Sequence, residues 1–137
     1  MLEPGAALPA ATLADDSGAQ ISTRDLVGSP LVLYFYPQDD TPGCTNEATQ
    51  FRDLSHAFAE KAARIVGVSR DSSASHRRFK EKYGLEFPLL ADVDSTLREA
   101  FGISGRATFL FDATGTLRHV WPQVRVDGHA GDVLSKL

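Results

Sequence analysis

The stretch Leu31-Val32-Leu33-Tyr34-Phe35-Tyr36 is followed directly by Pro37-Gln38-Asp39-Asp40-Thr41-Pro42-Gly43-Cys44. The first six residues are apolar or aromatic at every position and lack the alternation of a half-exposed strand. Such a run is typical of a strand buried on both faces of a sheet. We therefore expect a central strand over 31–36, with a loop at its carboxyl end.

The residues after this loop predict a long amphipathic helix. Thr41 is suited to the N-cap and Pro42 to the first helical position. Apolar residues then recur at helical spacing as far as position 62, which predicts one helix of several turns; they are Ala48, Phe51, Leu54, Phe58 and Ala62.

Cys44, the single cysteine of the chain, falls in the first turn of that helix. Backbone amides without intrahelical partners and the positive end of the helix dipole both stabilise an anion there, in this case a thiolate. The alternative is a small buried apolar residue without reactivity. The convergence of a strand end, a turn and a helix start on Cys44 favours the reactive cysteine.

These residues resemble a known family. Pro37, Thr41 and Cys44 match the pattern Pro-x-x-x-Thr-x-x-Cys of the peroxiredoxins, and residues 34–48 resemble the Q-type branch, the bacterioferritin comigratory proteins. The similarity continues through residues 102–112, where Arg106 falls at the family's second active-site arginine, and through Gly-His-Ala at 128–130. The resemblance implies a thioredoxin-like fold.

It also implies an antioxidant thiol-dependent peroxidase that acts on hydrogen peroxide and organic hydroperoxides without a cofactor. Cys44 would attack the peroxide and become a sulfenic acid. Arg106, Thr41 and the amides around Gly43 would hold the thiolate and the peroxide oxygens, and Pro37 would shape the pocket and shield the sulfur. Glu47 would orient an arginine; its alternative role is to complement the helix dipole.

The chain departs from much of this branch because it has no second cysteine. Thr49 stands five positions after Cys44, where many members have a resolving cysteine, and residues 71–83, where others have one, contain none. The resemblance then implies a one-cysteine cycle reduced by an external thiol, with thioredoxin, glutaredoxin or glutathione as candidates. It also implies over-oxidation to sulfinic acid when peroxide is abundant and the thiol is scarce.

Three other functions are compatible with a reactive cysteine. A peroxide sensor or thiol-binding module would act through a mixed disulfide of Cys44 without turnover. A disulfide reductase is disfavoured, because Cys44 is not part of a Cys-x-x-Cys pair. A cysteine hydrolase would reveal itself by Cys44-dependent ester hydrolysis.

The rest of the chain completes a mixed α/β sheet flanked by helices, in a single domain over 1–137. An N-terminal β-hairpin is predicted around the turn at 15–18, a second buried strand at 65–69, a short strand at 87–91 and a C-terminal hairpin from 107–111 and 117–121. Helices are expected over 72–83 and 95–101, and around Val133 and Leu134. The second strand follows a helix, which predicts a parallel crossover.

Composition limits the partners. The net charge of −4 gives no reason to expect nucleic-acid binding, and no stretch approaches the length of a membrane span. The first residues lack the features of a signal peptide, so we expect a cytoplasmic protein, monomeric or weakly dimeric like its Q-type relatives. The four histidines show no metal-ligand spacing, so no metal is expected, and Asp39 and Asp40 are interpreted as turn and solvent groups.

Overall fold

The computed structural model describes residues 1–137 and contains a seven-stranded mixed sheet with the strand order β2-β1-β5-β4-β3-β6-β7. Its strands are β1 (Thr12–Asp15), β2 (Gln20–Ser22), β3 (Leu31–Phe35), β4 (Arg64–Ser69), β5 (Leu89–Ala91), β6 (Ala107–Phe111) and β7 (Leu117–Trp121). β4 lies parallel to β3 and to β5, whereas β6 is antiparallel to β3. The mixed α/β class and the parallel crossover from β3 to β4 are therefore confirmed.

The apolar run at 31–36 forms the central strand β3 as far as Phe35, and every residue of β3 is buried. Val32 and Tyr34 point into one apolar core, while Leu31, Leu33 and Phe35 point into the other. Because successive side chains of a strand point to opposite faces, a strand with a core on each side must be apolar throughout. This is why the run lacks alternation.

Helices cover both faces of the sheet. They are α1 (Pro42–Asp53), α2 (Ser55–Glu60), α3 (Ser73–Tyr83), α4 (Thr96–Phe101) and α5 (His129–Leu134), with a 3-10 turn at Thr23–Leu26. α1, α2, α3 and α5 contribute to the core that contains Tyr34, and α4 and the 3-10 turn contribute to the other. None of these helices has the length and apolarity needed to cross a bilayer.

The predicted single helix after Cys44 is wrong in one respect, because it is divided at Leu54. Leu54 has φ −101° and ψ 10°, outside the helical region, and it separates α1 from α2. Phe51 and Phe58 on either side of the break still pack in one core, with their rings 5.8 Å apart. The apolar spacing thus continues across a break in the backbone.

The other predicted elements are present, with small shifts at their ends. α3 begins after Ser72, whose side chain accepts a hydrogen bond from the amide of Ser75, and ends at Gly84 in the left-handed conformation. β5 begins at Leu89, two residues later than expected. The N-terminal hairpin of β1 and β2 joins the sheet through antiparallel pairing of β1 with β5.

Candidate active site

Cys44 lies in the first turn of α1, at the carboxyl end of β3. Thr41 occupies the N-cap with extended backbone and Pro42 the first helical position. The first hydrogen bond of the helix runs from the amide of Thr45 to the carbonyl of Thr41, so the amides of Gly43 and Cys44 precede it. Cys44 as a whole residue is 1% exposed. The sulfur therefore sits at the positive end of a helix in a largely dry environment.

Arg106 brings positive charge to this sulfur. It directly precedes β6, and the register that pairs Phe35 with Ala107 places it across from the end of β3. Its Nη2 atom donates to Cys44 Sγ at 3.3 Å, and its Nη1 atom donates to Glu47 Oε1 at 2.7 Å. Burial lowers the pKa of Arg106, but its hydrogen bonds to Glu47 and Cys44 outweigh that effect and leave the pKa raised. The guanidinium is thus a permanent cation beside the thiol.

Gly43 makes the approach of Arg106 to α1 feasible. A Cβ atom at position 43 would lie 3.2 Å from Arg106 Nη2, closer than ordinary van der Waals contact. A glycine in the first turn therefore lets the guanidinium lie against the helix. The sequence predicted a role for the amide of Gly43, and the absence of its side chain is a second contribution.

Glu47 lies one turn after Cys44 and is fully buried. Only Oε1 is hydrogen-bonded, to Arg106, while Oε2 has no hydrogen-bond partner. Burial raises the pKa of Glu47 from 4.5 to about 7, against the opposing effect of Arg106. Of the two predicted roles, contact with an arginine is the one that the geometry supports.

Thr41 and Pro37 do not touch the sulfur through a hydrogen bond. The Thr41 hydroxyl donates to the carbonyl of Gln38 at 2.9 Å and makes no cap to the helix. Pro37 is exposed in the loop between β3 and α1. Their predicted roles, with Thr41 orienting the reactants and Pro37 shielding the sulfur, remain predictions.

A group that sequence reasoning missed lies behind Glu47. His129, the first residue of α5, is buried, and its Nε2 atom lies 2.8 Å from Thr108 Oγ1 and 3.8 Å from Glu47 Oε2. Burial lowers the pKa of His129 from 6.5 to about 4, and the charge of Arg106 adds to this effect, so the ring is neutral. The only signal in the sequence was the Gly-His-Ala match at 128–130, which assigned no role to this histidine.

The interpretation of Asp39 as a solvent group is wrong. Asp39 is buried, accepts a hydrogen bond from the Tyr36 hydroxyl at 2.6 Å, and lies 2.7 Å from His76 Nδ1. His76 Nε2 donates to the carbonyl of Leu90, and Asp71 accepts from the amide of Asp39. Asp39, Asp71 and His76 lie close enough to share a metal ion, but their polar atoms are engaged with each other and with neighbouring protein groups.

Asp40 behaves differently from its neighbour, because it is exposed and adopts a left-handed backbone conformation with φ 57°. Its carboxylate accepts from Lys82 at 2.7 Å and from the Tyr83 hydroxyl at 2.6 Å. Asp39 and Asp40 therefore both attach the loop after β3 to α3.

A cavity of about 500 Å³ opens beside Arg106. Residues 102–107 and the segment after β7, at Pro122 and Gln123, form its walls together with Met1. Arg106 lines this cavity and Cys44 does not. The guanidinium is therefore the part of the site that this cavity exposes.

The arrangement can be compared with known proteins. The model of the AhpC/TSA family matches residues 4–120. Peroxiredoxin Bcp of Bacillus subtilis is 42% identical over an alignment 149 positions long, which covers 99% of this chain and 95% of the relative.

Solved structures of related proteins have a similar fold. PrxQ of Xylella fastidiosa is 36% identical with a TM-score of 0.95, over 99% of this chain and 95% of the other. The bacterioferritin comigratory protein of Xanthomonas campestris, described for its alkyl peroxide reduction activity, is 39% identical with a TM-score of 0.89, over 92% and 88% of the two chains.

Proposed function

Because the chain belongs to the AhpC/TSA family and is a peroxiredoxin of the Bcp/Q type, a thiol-dependent peroxidase, we propose that Cys44 is its peroxidatic cysteine and Arg106 its peroxide-holding residue. The observation that carries the proposal is the 3.3 Å contact between Arg106 Nη2 and Cys44 Sγ in the first turn of a helix. The cation and the unpaired amides together favour the thiolate, which is the nucleophile.

In the first step the Cys44 thiolate attacks the terminal oxygen of a hydroperoxide. A sulfur–oxygen bond forms as the oxygen–oxygen bond breaks. The attacked oxygen keeps its proton and becomes the sulfenic acid hydroxyl, and the leaving oxygen takes a proton from solvent and departs as water or an alcohol. The sulfur is oxidised by two electrons to a sulfenic acid and the peroxide is reduced. Arg106 stabilises the negative charge as it moves from sulfur to the leaving oxygen, because its planar donors are fixed before the reaction.

Thr41, Pro37 and the amide of Gly43 complete the site in this proposal. The Thr41 hydroxyl, which donates to Gln38 at rest, would turn toward the peroxide when it binds. Glu47 holds the guanidinium in place through its 2.7 Å bond. Organic hydroperoxides are included among the substrates because the Xanthomonas relative is described for alkyl peroxide reduction.

The second step needs a thiol from outside the chain, since Cys44 is the only cysteine. One external thiol condenses with the sulfenic acid to give a mixed disulfide and water, and a second thiol releases Cys44 and leaves as a disulfide. Thioredoxin, glutaredoxin and glutathione are the candidate thiol donors. A reducing cytoplasm, which maintains all three, is the proposed location, and the proposed state is a monomer or weak dimer.

The experiment is steady-state consumption of hydrogen peroxide with each donor in turn. Turnover that depends on one of them and is abolished by Cys44→Ser supports the proposal. The alternative, a sensor that acts once through a mixed disulfide, predicts a single equivalent of peroxide consumed with every donor. That outcome would overturn the catalytic cycle and leave only the reactive cysteine.

A further inference from the structure

The Glu47 carboxyl group has one oxygen that is buried without a hydrogen-bond partner. It is fully buried, and its Oε2 atom has no donor. A buried carboxylate oxygen without a donor is costly, because nothing replaces the water it lost. The cost disappears if Oε2 carries a proton and directs it to an acceptor.

An acceptor faces this oxygen. His129 Nε2 lies 3.8 Å from Glu47 Oε2, and its one hydrogen bond is to the Thr108 hydroxyl at 2.8 Å. The buried ring is neutral, with a pKa lowered to about 4, so one of its nitrogens carries no proton. If that nitrogen is Nε2, the Thr108 hydroxyl and a protonated Oε2 compete for its one lone pair, and a shift of about 1 Å would bring Oε2 to ordinary hydrogen-bond distance.

The balance of charge around Arg106 also favours one proton shared between Cys44 and Glu47. Its single guanidinium contacts two ionisable groups, Cys44 and Glu47. A thiolate together with a carboxylate would leave one uncompensated negative charge in the buried site, whereas one shared proton leaves none. The raised pKa of Glu47, about 7, agrees with this.

Two other titratable groups lie near Glu47, Arg106 and His129, and neither is the acceptor of the Glu47 proton. Tyr34 of β3 is a buried phenol whose pKa is raised well above 10 by burial and by Glu47, so it stays neutral. Asp132, on α5, lies toward His129 and its charge favours the protonated ring, but burial of the ring outweighs this effect.

We propose that Glu47 is the neutral acid whenever Cys44 is the thiolate, and that its proton, on Oε2, is directed at His129 Nε2. His129 is then a positioning residue for the peroxidase reaction, acting on the sulfur through Glu47 and Arg106. With Glu47 neutral, the full charge of the guanidinium is available to the thiolate and the peroxide. This inference rests on the proposed function of Cys44.

Infrared difference spectroscopy tests the proton directly. At a pH where ultraviolet absorbance shows the Cys44 thiolate, the spectrum of the wild type minus that of Cys44→Ser should contain the C=O stretch of a protonated carboxyl group. The same difference in a Glu47→Gln background should lack it. A wild-type protein with the thiolate formed and no such band would overturn the inference.

Two substitutions test the role of His129. Thr108→Val removes the competing donor, so the carboxyl band should move to lower frequency as its bond to His129 strengthens. His129→Phe removes the acceptor, so the band should move to higher frequency or vanish, and Cys44 oxidation by hydrogen peroxide should slow about tenfold, the effect of losing one hydrogen bond. His119→Phe, at an exposed histidine on β7, is the matched control and should leave both unchanged.

His129→Phe in a Glu47→Leu background shows whether His129 acts through Glu47 or has a general structural effect. If His129 acts through Glu47, His129→Phe should slow the reaction no further there, and an equal slowing in both backgrounds would overturn the assignment. The failures can be told apart. Fast Cys44 oxidation without the carboxyl band refutes only this inference, whereas slow oxidation in the wild type refutes the proposed function itself.

Discussion

Arg106 is the residue on which the sulfur chemistry depends most. Arg106→Ala removes the donor that lies 3.3 Å from Cys44 Sγ, and we expect the rate constant for Cys44 oxidation by hydrogen peroxide to fall about 10²- to 10³-fold, as for the loss of one preorganised donor to a developing charge. Single-turnover oxidation followed by intact mass would measure it. Arg118→Ala, at an exposed arginine paired with Asp112, is the control, and a loss below about threefold in Arg106→Ala would contradict this role.

Glu47 and His129 should give the stability of the fold opposite dependences on pH. The pKa of Glu47 is raised from 4.5 to about 7, so the folded protein binds more protons than the unfolded chain in that window, and the Glu47 contribution to stability is lost as pH rises through 7. The pKa of His129 is lowered from 6.5 to about 4, so its contribution is present above 6.5 and lost as pH falls through 4.

Urea unfolding of single variants would separate these two effects. The free energy of unfolding of the wild type, minus that of Glu47→Gln, should decrease by up to about 3 kcal/mol between pH 4.5 and 7. The same difference for His129→Phe should increase by a similar amount between pH 4 and 6.5. Differences that stay flat with pH would show that neither group titrates abnormally in the fold.

The sequence was informative about single residues only where a motif marks them. Cys44 and Arg106 were both identified from the family pattern, and the structure brings them together. His129 and Asp39 could not be placed in the same way, because their roles depend on contacts with Glu47 and His76, which are 82 and 37 positions away. Nothing in the local sequence tells whether an aspartate in a turn faces water or a buried histidine.

At the level of elements, the first turn of α1 combines two requirements that conflict. Alanine is favoured over glycine in a helix by about 1 kcal/mol, yet a Cβ at position 43 would press on Arg106 Nη2. Gly43→Ala should therefore preserve or raise the free energy of unfolding while slowing Cys44 oxidation up to about tenfold, as displacement of the guanidinium by a few tenths of an ångström weakens its hydrogen bond to sulfur.

Gly131→Ala in α5 provides the comparison for this prediction, because nothing lies within 4 Å of its added Cβ. It should stabilise the protein without slowing the reaction. Chemical denaturation and single-turnover oxidation, measured on both variants, would check the pair. Equal rates for the two variants would mean that Arg106 does not need the space at Gly43.

The break at Leu54 shows what periodicity alone does not detect. The chain has neither proline nor glycine between residues 44 and 66, and apolar residues keep their helical spacing through the break. Hydrophobic spacing reports which side chains face the core, and these still do. It does not report whether each backbone hydrogen bond of the helix is made.

Across the whole molecule, strand order is the feature that the sequence did not determine. The two hairpins and the parallel unit were all predicted from local patterns, but either hairpin could have flanked either edge of β3 or β4. The observed order places β6 beside β3 in antiparallel pairing, and this pairing brings Arg106 to Cys44. The site therefore depends on long-range packing that no turn or periodicity encodes.

The absence of a second cysteine also affects the molecule as a whole. A sulfenic acid that must wait for an external thiol is exposed to further peroxide, so excess hydrogen peroxide without donor should convert Cys44 to sulfinic acid and end turnover. Intact mass would show the gain of two oxygen atoms, in parallel with lost activity. Adding donor thiol together with the peroxide should suppress this product, and sustained turnover without donor would contradict the one-cysteine cycle.

The loop between β3 and α1 is attached to α3 at two points, through Asp39 to His76 near its beginning and through Asp40 to Lys82 and Tyr83 at its end. Because both attachments are to one helix, we expect the loop and α3 to open as one cooperative unit, with hydrogen exchange reaching their amides together. The loop that precedes Cys44 should then open as rarely as α3 does. The sulfur can stay shielded between encounters with peroxide without a separate lid.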